Sequence, residues 1–201
     1  MPYSAADKKR IVDLYNRSLE EYGTQSARAL GWSSEFSRNI RLEVLCEAGD
    51  MNGRSVLDVG CGFGDLYDFL RQRFGHVSYQ GVDINPAMVE AAQAKHPGIP
   101  FFAMDFGAYE GQRFDYVLAS GAFSFKVPDY RNLYFDSIKK MFELGTIAAA
   151  FNLLNANYHI SDDTFATYSL DEVRDFCSSL TKNVVLRQDY LQHDFSVYLY
   201  R

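Results

Sequence analysis

Apolar positions along the chain keep helical spacing first, then fall into short runs separated by helical stretches. Over residues 4–22 the apolar positions Ile11, Leu14, Tyr15, Leu19 and Tyr22 share one helical face. Ser4 with Asp7 three residues later has the form of a capping box, and Gly23 marks the stop. A second helix is predicted over 34–47, with Phe36, Ile40, Val44 and Leu45 on its apolar side. From Ser55 the pattern predicts strands over 55–60, 77–84, 100–106, 114–120 and 146–154. Helices are predicted between them, over 65–74, from Asn85-Pro86 to about Lys95, and over 129–143.

Strands alternating with helices imply right-handed crossovers and a mostly parallel sheet covered on both faces. Beyond the fifth strand the alternation breaks. A helix opens at Ser169-Leu-Asp-Glu172, again with the form of a capping box. Two strand-like runs follow, 183–191 and 194–200, with only Gln192 and His193 between them. So short a link cannot carry a parallel crossover, so the pair must form an antiparallel hairpin and leave one strand reversed. The expected class is a doubly wound α/β fold in a single domain, with a helical cap (1–50) on a core (53–201). No linker, repeat or low-complexity tract divides the chain.

Charge and composition then remove several function classes. The 201 residues carry 20 Lys+Arg against 26 Asp+Glu, a net charge of −6. That argues against a nucleic-acid partner, which needs cations to neutralise phosphates. Cys46, Cys61 and Cys177 are widely spaced and offer neither a disulfide framework nor a zinc site, and no metal is expected. The first ten residues are too polar for a signal peptide. The longest apolar stretch, 147–154, is far short of the about 20 residues a membrane span needs. A soluble cytoplasmic protein without a membrane partner is the expectation.

Candidate chemistry concentrates in Val56-Leu-Asp-Val-Gly-Cys-Gly-Phe-Gly64, directly after a predicted strand and before a helix. Glycines at 60, 62 and 64 allow a ligand to approach the backbone closely. Asp83 ends the next strand, where doubly wound folds place an acid on ribose hydroxyls. The spacing is G-x-G-x-G rather than the dinucleotide pattern G-x-G-x-x-G, whose third glycine would fall on Asp65. Asp58, two residues ahead of Gly60, is awkward beside a pyrophosphate and suits a ligand with an ammonium and a sulfonium. Asp105 follows the third strand, where a carboxylate could accept from an adenine amino group. Together these favour S-adenosylmethionine over a nicotinamide dinucleotide.

Val56–Gly64, Gly81-Val-Asp-Ile-Asn85, Met104-Asp-Phe106 and Phe114-Asp-Tyr-Val-Leu-Ala-Ser120 resemble the successive motifs of class I S-adenosylmethionine-dependent methyltransferases. The resemblance implies a Rossmann-like sheet of seven strands whose last strand is antiparallel in a C-terminal hairpin. It also implies roles. Asp58, Gly60, Cys61 and Gly62 would line the methionine end of the cofactor, with Gly64 allowing the turn into the helix. Asp83 would hold the ribose hydroxyls and Ile84 would pack on adenine, while Met104, Asp105 and Phe106 would border its edge and face. Ser120 would reach the cofactor through its backbone, and Tyr15, Tyr22 and Arg41 are candidates to cover the methionine end.

For the methyl acceptor the residues say less. His76, His96 and His193 read as solvated positions, whereas His159, with Tyr158 and Asn152, follows the fifth strand at the edge where ligands bind. His159 and Tyr158 are therefore the catalytic candidates. The segment 155–168 is long enough to act as a lid over an acceptor. After the fourth strand, Ser120-Gly-Ala-Phe-Ser-Phe125 lacks the Asn/Asp-Pro-Pro-aromatic motif that resembling enzymes direct at nucleic-acid bases. Aromatic residues, 15% of the chain, include Phe123, Phe125, Tyr158 and Phe165 in the segments expected around the acceptor. An aromatic or cationic small molecule is the expected partner, taken by O- or N-methylation in a monomer or homodimer. A non-catalytic cofactor-binding protein and a protein side-chain methyltransferase are the alternatives.

Overall fold

The computed structural model describes residues 2–24, 26–158 and 164–201. In chain order the elements are α1 (Ala5–Tyr22), α2 (Glu35–Leu45), β1 (Ser55–Val59), α3 (Asp65–Phe74), β2 (Ser78–Asp83), α4 (Pro86–Lys95) and β3 (Phe101–Ala103). Then come β4 (Phe114–Ala119), α5 (Tyr130–Leu144), β5 (Gly145–Leu154), α6 (Leu170–Leu180), β6 (Val184–Arg187) and β7 (Asp194–Tyr200). The strands form one seven-stranded sheet in the order β3-β2-β1-β4-β5-β7-β6. Pairs from β3 to β5 are parallel, and β7 runs antiparallel to both of its neighbours. The predicted reversal is present, and the reversed strand lies inside the sheet, between β5 and β6.

Alternation along each strand sorts its side chains onto two faces. Leu57, Val117, Ala149, Phe151 and Val197 pack against Tyr134, Ile138 and Met141 of α5 and Val173 and Cys177 of α6. The intervening residues Val56, Leu118, Ala148, Ala150 and Tyr198 meet Leu42 and Leu45 of α2, Leu66 and Leu70 of α3, and Val89 of α4. The sheet is thus covered on both faces, which is why its central strands are apolar runs rather than half-polar ones. All three cysteines are buried and unpaired. Among the described residues, no helix is long and apolar enough to cross a membrane.

Several predicted boundaries shift for identifiable reasons. β3 stops at Ala103 rather than 106, because the Asp105 carboxylate accepts from the Gly107 N–H (2.9 Å) and winds 106–108 into a 3-10 turn. β6 covers 184–187 instead of 183–191. Beyond it Arg187 turns onto Asp189 (2.8 Å), so the hairpin link is longer than the two residues expected. α2 ends at Leu45 and continues as a 3-10 turn over 46–48. Ser4 does cap α1, accepting from the Asp7 N–H at 3.1 Å. Ser169 makes no capping bond to α6, and Glu172 accepts from Arg131 of α5 at 2.6 Å instead. A tertiary ion pair has displaced the local box.

Candidate active site

The functional residues gather at the C-terminal edge of β1, β2, β3, β4 and β5, where open α/β sheets bind ligands. Gly60 and Cys61 donate their N–H groups to the Val82 carbonyl at 2.8 and 3.1 Å, tying the turn after β1 to the end of β2. Gly60 has φ +74°, and a Cβ there would stand 2.7 Å from that of Ala122, so only glycine fits the turn beneath the loop after β4. Gly64 lies outside the cavity wall, as the residue that leads into α3.

A cavity of about 300 Å³ opens at this edge. Its wall contains Asp58, Gly60, Cys61, Gly62, Asp83, Ile84, Met104, Asp105, Phe106, Ser120, Tyr15 and Arg41, all of the cofactor candidates except Gly64 and Tyr22. Asp58 is 2% exposed and accepts from the Tyr79 hydroxyl at 2.6 Å. Burial pushes its carboxyl up to about 7, against the Tyr79 hydrogen bond and helped by the charges of Asp83 and Asp65. Asp83 accepts from the Gly62 N–H (2.9 Å) through one oxygen and the Asn85 N–H (2.8 Å) through the other. It thereby joins the glycine loop to the start of α4, and burial raises its carboxyl despite both bonds. Asp105 accepts from the Tyr3 N–H at 2.8 Å, which lays the segment before α1 across the β3 side of the cavity. Tyr15 faces Asp83 from α1, and burial with that nearby charge lifts its phenol to about 12. Tyr22 is exposed at the far end of α1 and takes no part in the wall.

The β5 side of the cavity is built differently. Asn152 accepts from the Gly121 N–H (2.8 Å) and donates to the Ser120 hydroxyl (3.1 Å), which fixes the turn after β4. Gly121 has φ +70°, and a Cβ on it would lie 2.6 Å from the Trp32 ring. Gly121→Ala should cost about 1–2 kcal/mol for the left-handed backbone alone. It should also displace Trp32, the single tryptophan of the chain, visible as a shift in its fluorescence. Unchanged emission and melting would refute this packing.

Arg41 is buried. It donates to both oxygens of Asp194 at the start of β7 and to the carbonyl and hydroxyl of Ser37, and its guanidinium lies 5.0 Å from the Trp32 ring centre. It is therefore committed to Asp194 rather than free to cover the methionine end. Breaking such a pair strands a buried charge, at roughly 3–5 kcal/mol, whereas an apolar pair of similar volume is near neutral. Urea melts should accordingly show a large loss for Arg41→Met and substantial recovery in Arg41→Met/Asp194→Leu. Equal losses in the two variants would contradict the pairing.

Of the catalytic candidates, Tyr158 stands outside the cavity wall, its N–H turned back onto the Asn155 carbonyl at 3.2 Å. His159 lies outside the described residues. Of the segment expected to act as a lid, 159–163 lie outside the described residues, while Phe165 pairs with Phe125 and the Ala166 N–H donates to the Ser124 carbonyl at 2.7 Å. Sequence reading missed Leu30, Trp32, Ser37, Arg38, His193 and Asp194, all of which line the cavity. Only the unique tryptophan and the placement of His193 beside the last strand hinted at them.

The wall has four carboxylates around the glycine loop and the ends of β1 to β3, Asp58, Asp65, Asp83 and Asp105. Its two arginines are each paired, Arg38 with Asp65 (3.0 Å) and Arg41 with Asp194. That donor set repels a phosphate and suits a cofactor with positive charge, two ribose hydroxyls and an adenine. No group of three or more His, Cys, Asp or Glu residues among those described could hold a metal ion.

Comparison with known proteins agrees. Residues 56–145 match the family described as a methyltransferase domain. A Mycobacterium tuberculosis protein named for methyl transfer is 28% identical over 150 residues, covering 71% of this chain and 90% of that one. The cyclopropane-fatty-acyl-phospholipid synthase of Escherichia coli is 26% identical over 187 residues, and the match covers 87% of this chain but only 48% of the synthase. The magnesium protoporphyrin IX methyltransferase of Synechocystis, solved with bound S-adenosylmethionine, superimposes with a TM-score of 0.68 over 100% of both chains at 17% identity. A lipid and a porphyrin in those names show how far acceptors diverge on one fold. The fold, the glycine loop with its acids and these matches identify a methyltransferase domain over residues 56–145, on a fold shared with a methyltransferase solved with bound S-adenosylmethionine.

Proposed function

We propose that the enzyme transfers the methyl group to an oxygen or nitrogen of a small, planar or apolar acceptor. One observation carries this reading: Trp32, Phe123, Phe125 and Phe165 wall the same cavity that holds Asp58, Asp83 and Asp105. Cofactor and acceptor would share one cavity with an aromatic wall, which suits a small molecule better than a protein segment. A cationic acceptor is less favoured, because Arg41 already lies on one face of Trp32 and Arg10 on one face of Phe125, 5.1 Å from its centre.

When bound, the cofactor supplies a methyl group activated by its sulfonium. The chain has to bind, align and exclude water, and alignment alone can contribute several kcal/mol, up to about 7–11. Asp58 is proposed to face the ammonium and Asp83 the ribose hydroxyls, with Asp105, Ile84 and Phe106 around the adenine. Tyr3, Ile11 and Tyr15 roof the cofactor side, and Phe165 on its strap roofs the acceptor side.

The deciding experiment measures S-adenosylhomocysteine release with planar phenols, aromatic amines, aliphatic carboxylic acids and a peptide library. Release with one or more of the phenols or amines is the expected result. Release confined to peptides would replace this reading with side-chain methylation.

A further inference from the structure

His193 and Asp194 stand together where the reversed strand enters the cavity. The His193 carbonyl accepts from the Asn155 N–H at 3.0 Å, which pins its backbone to the end of β5. Its side chain is half exposed, lines the cavity, and has Nε2 3.7 Å from Oδ2 of Asp194. The Asp194 side chain is 2% exposed and cannot turn away, because Arg41 holds both of its oxygens. Arg41 in turn is fixed by Ser37 and lies against Trp32.

A buried ion pair is a poor device for stability alone, since well-packed apolar residues serve as well. Nor does this one leave Arg41 free to take the charge of a ligand. What the pair does is hold one carboxylate in place beside an imidazole on the cavity wall. An imidazole with one nitrogen toward a fixed carboxylate and the other toward a ligand space is the arrangement of a general base. The distance of 3.7 Å exceeds a hydrogen bond, but base contacts are commonly loose before ligands bind and tighten in the complex.

We propose that His193 is the general base of methyl transfer, with Asp194, clamped by Arg41, as its positioning residue, and that the acceptor is a planar hydroxyl compound that must lose its proton. This rests on the small-molecule reading above. An oxygen lone pair of the acceptor forms the bond to the methyl carbon as the carbon–sulfur bond breaks, leaving its electron pair on sulfur. The hydroxyl proton passes to Nδ1 of His193. The positive charge thus moves from sulfur to an imidazolium beside Asp194, and the half-exposed ring returns the proton to water. Asp194 on β7, Arg41 on α2, Tyr190 in the preceding turn and Arg187 at the end of β6 are the charged or titratable groups packed around this corner.

The test has two parts, both on the full chain with S-adenosylhomocysteine bound or S-adenosylmethionine saturating. First, imidazole NMR titrations follow the four histidines, with His193→Gln identifying its own signal. Loss of the adjacent carboxylate in Asp194→Asn should shift the His193 ring signals more than those of the other histidines, because that carboxylate is the partner 3.7 Å from Nε2. The other histidines serve as the fold control. If Asp194→Asn fails to fold, Arg41→Met/Asp194→Leu gives the same reading without a stranded charge. Unchanged His193 signals overturn the proposal.

Second, turnover is measured on 7-hydroxycoumarin and 2-naphthol. His193→Gln should lower kcat by about 10²–10⁴-fold and abolish the acid limb of its pH profile, with cofactor affinity unchanged. Turnover that persists in His193→Gln overturns the base and leaves the small-molecule reading intact. A His193 signal that responds to Asp194→Asn without turnover by the unmodified chain on any probe overturns the acceptor class, and with it the base role, while the dyad stands.

Discussion

Asp83→Ala is expected to weaken S-adenosylhomocysteine binding by about 10²–10⁴-fold. Each hydrogen bond to a charged group is worth about 1.5–3 kcal/mol, and two ribose hydroxyls are proposed to use this carboxylate. The loss has a second source in the chain itself. With the carboxylate gone, the Gly62 and Asn85 N–H groups lose their acceptor, so the glycine loop and the start of α4 are no longer tied together. Asn85 also caps α4 through the Ala87 N–H (2.9 Å) and holds Asn16 of α1 (2.9 Å), so the roof over the cofactor should loosen too. Calorimetric titration, beside a thermal melt to separate unfolding from lost affinity, measures the effect. Affinity within fivefold of the unmodified protein in a folded variant would remove Asp83 from the cofactor site.

Cofactor affinity should also depend on pH through Asp58. Its carboxyl titrates near 7 in the folded chain, because burial disfavours the charged form. An ammonium beside it would favour that form, so binding below about pH 7 must release a proton, and affinity should rise roughly tenfold per pH unit up to that point. Above it the curve should flatten. Without cofactor the sign for stability is opposite. The folded state keeps a proton that the unfolded chain, near its ordinary 3.8, has already lost. The Asp58 contribution is therefore fully present below about pH 4 and lost as pH rises through about 7. Calorimetry at pH 6 in two buffers of different ionisation enthalpy counts the protons released. Most of that release should vanish in Asp58→Asn. A variant that releases as many protons as the unmodified chain would assign the linkage to another group, with Asp83, also shifted upward by burial, the first to consider.

The part of the cavity wall built from Asp58, Asp83 and Asp105 was legible in the sequence because these residues sit within a few positions of strand ends. Asp58, Asp83 and Asp105 each close or follow a parallel strand, and strand ends of a parallel sheet share one edge. Register within the sheet then does the rest, pairing Asp58 with Gly81 and Asp83 with Ala103. The wall on the β5 and β7 side was not legible. Trp32 and Arg41 reach the cavity from α2 and the turn before it, and Asp194 reaches it from the reversed strand, 153 residues after Arg41. Nothing local marks such a meeting, because the side-chain pattern of α2 fits an ordinary amphipathic helix. The capping boxes show the same contrast. Ser4 answers to its own neighbours, while Glu172 answers to Arg131 on another helix.

The interior place of β7 has a consequence for how the molecule is made. β6 precedes β7 in the chain yet pairs with nothing else in the sheet, so it can dock only after β7 is available. The last two strands can therefore enter the sheet only together or with β7 first, which puts a long-range closure late in folding. Arg41 gains the carboxylate of Asp194 only when β7 is in place. During synthesis the cofactor edge of β1 to β4 can form before the acceptor wall exists. A nascent chain halted ahead of β7 should thus hold the glycine loop and its acids on a partly built sheet, with the wall beside them missing.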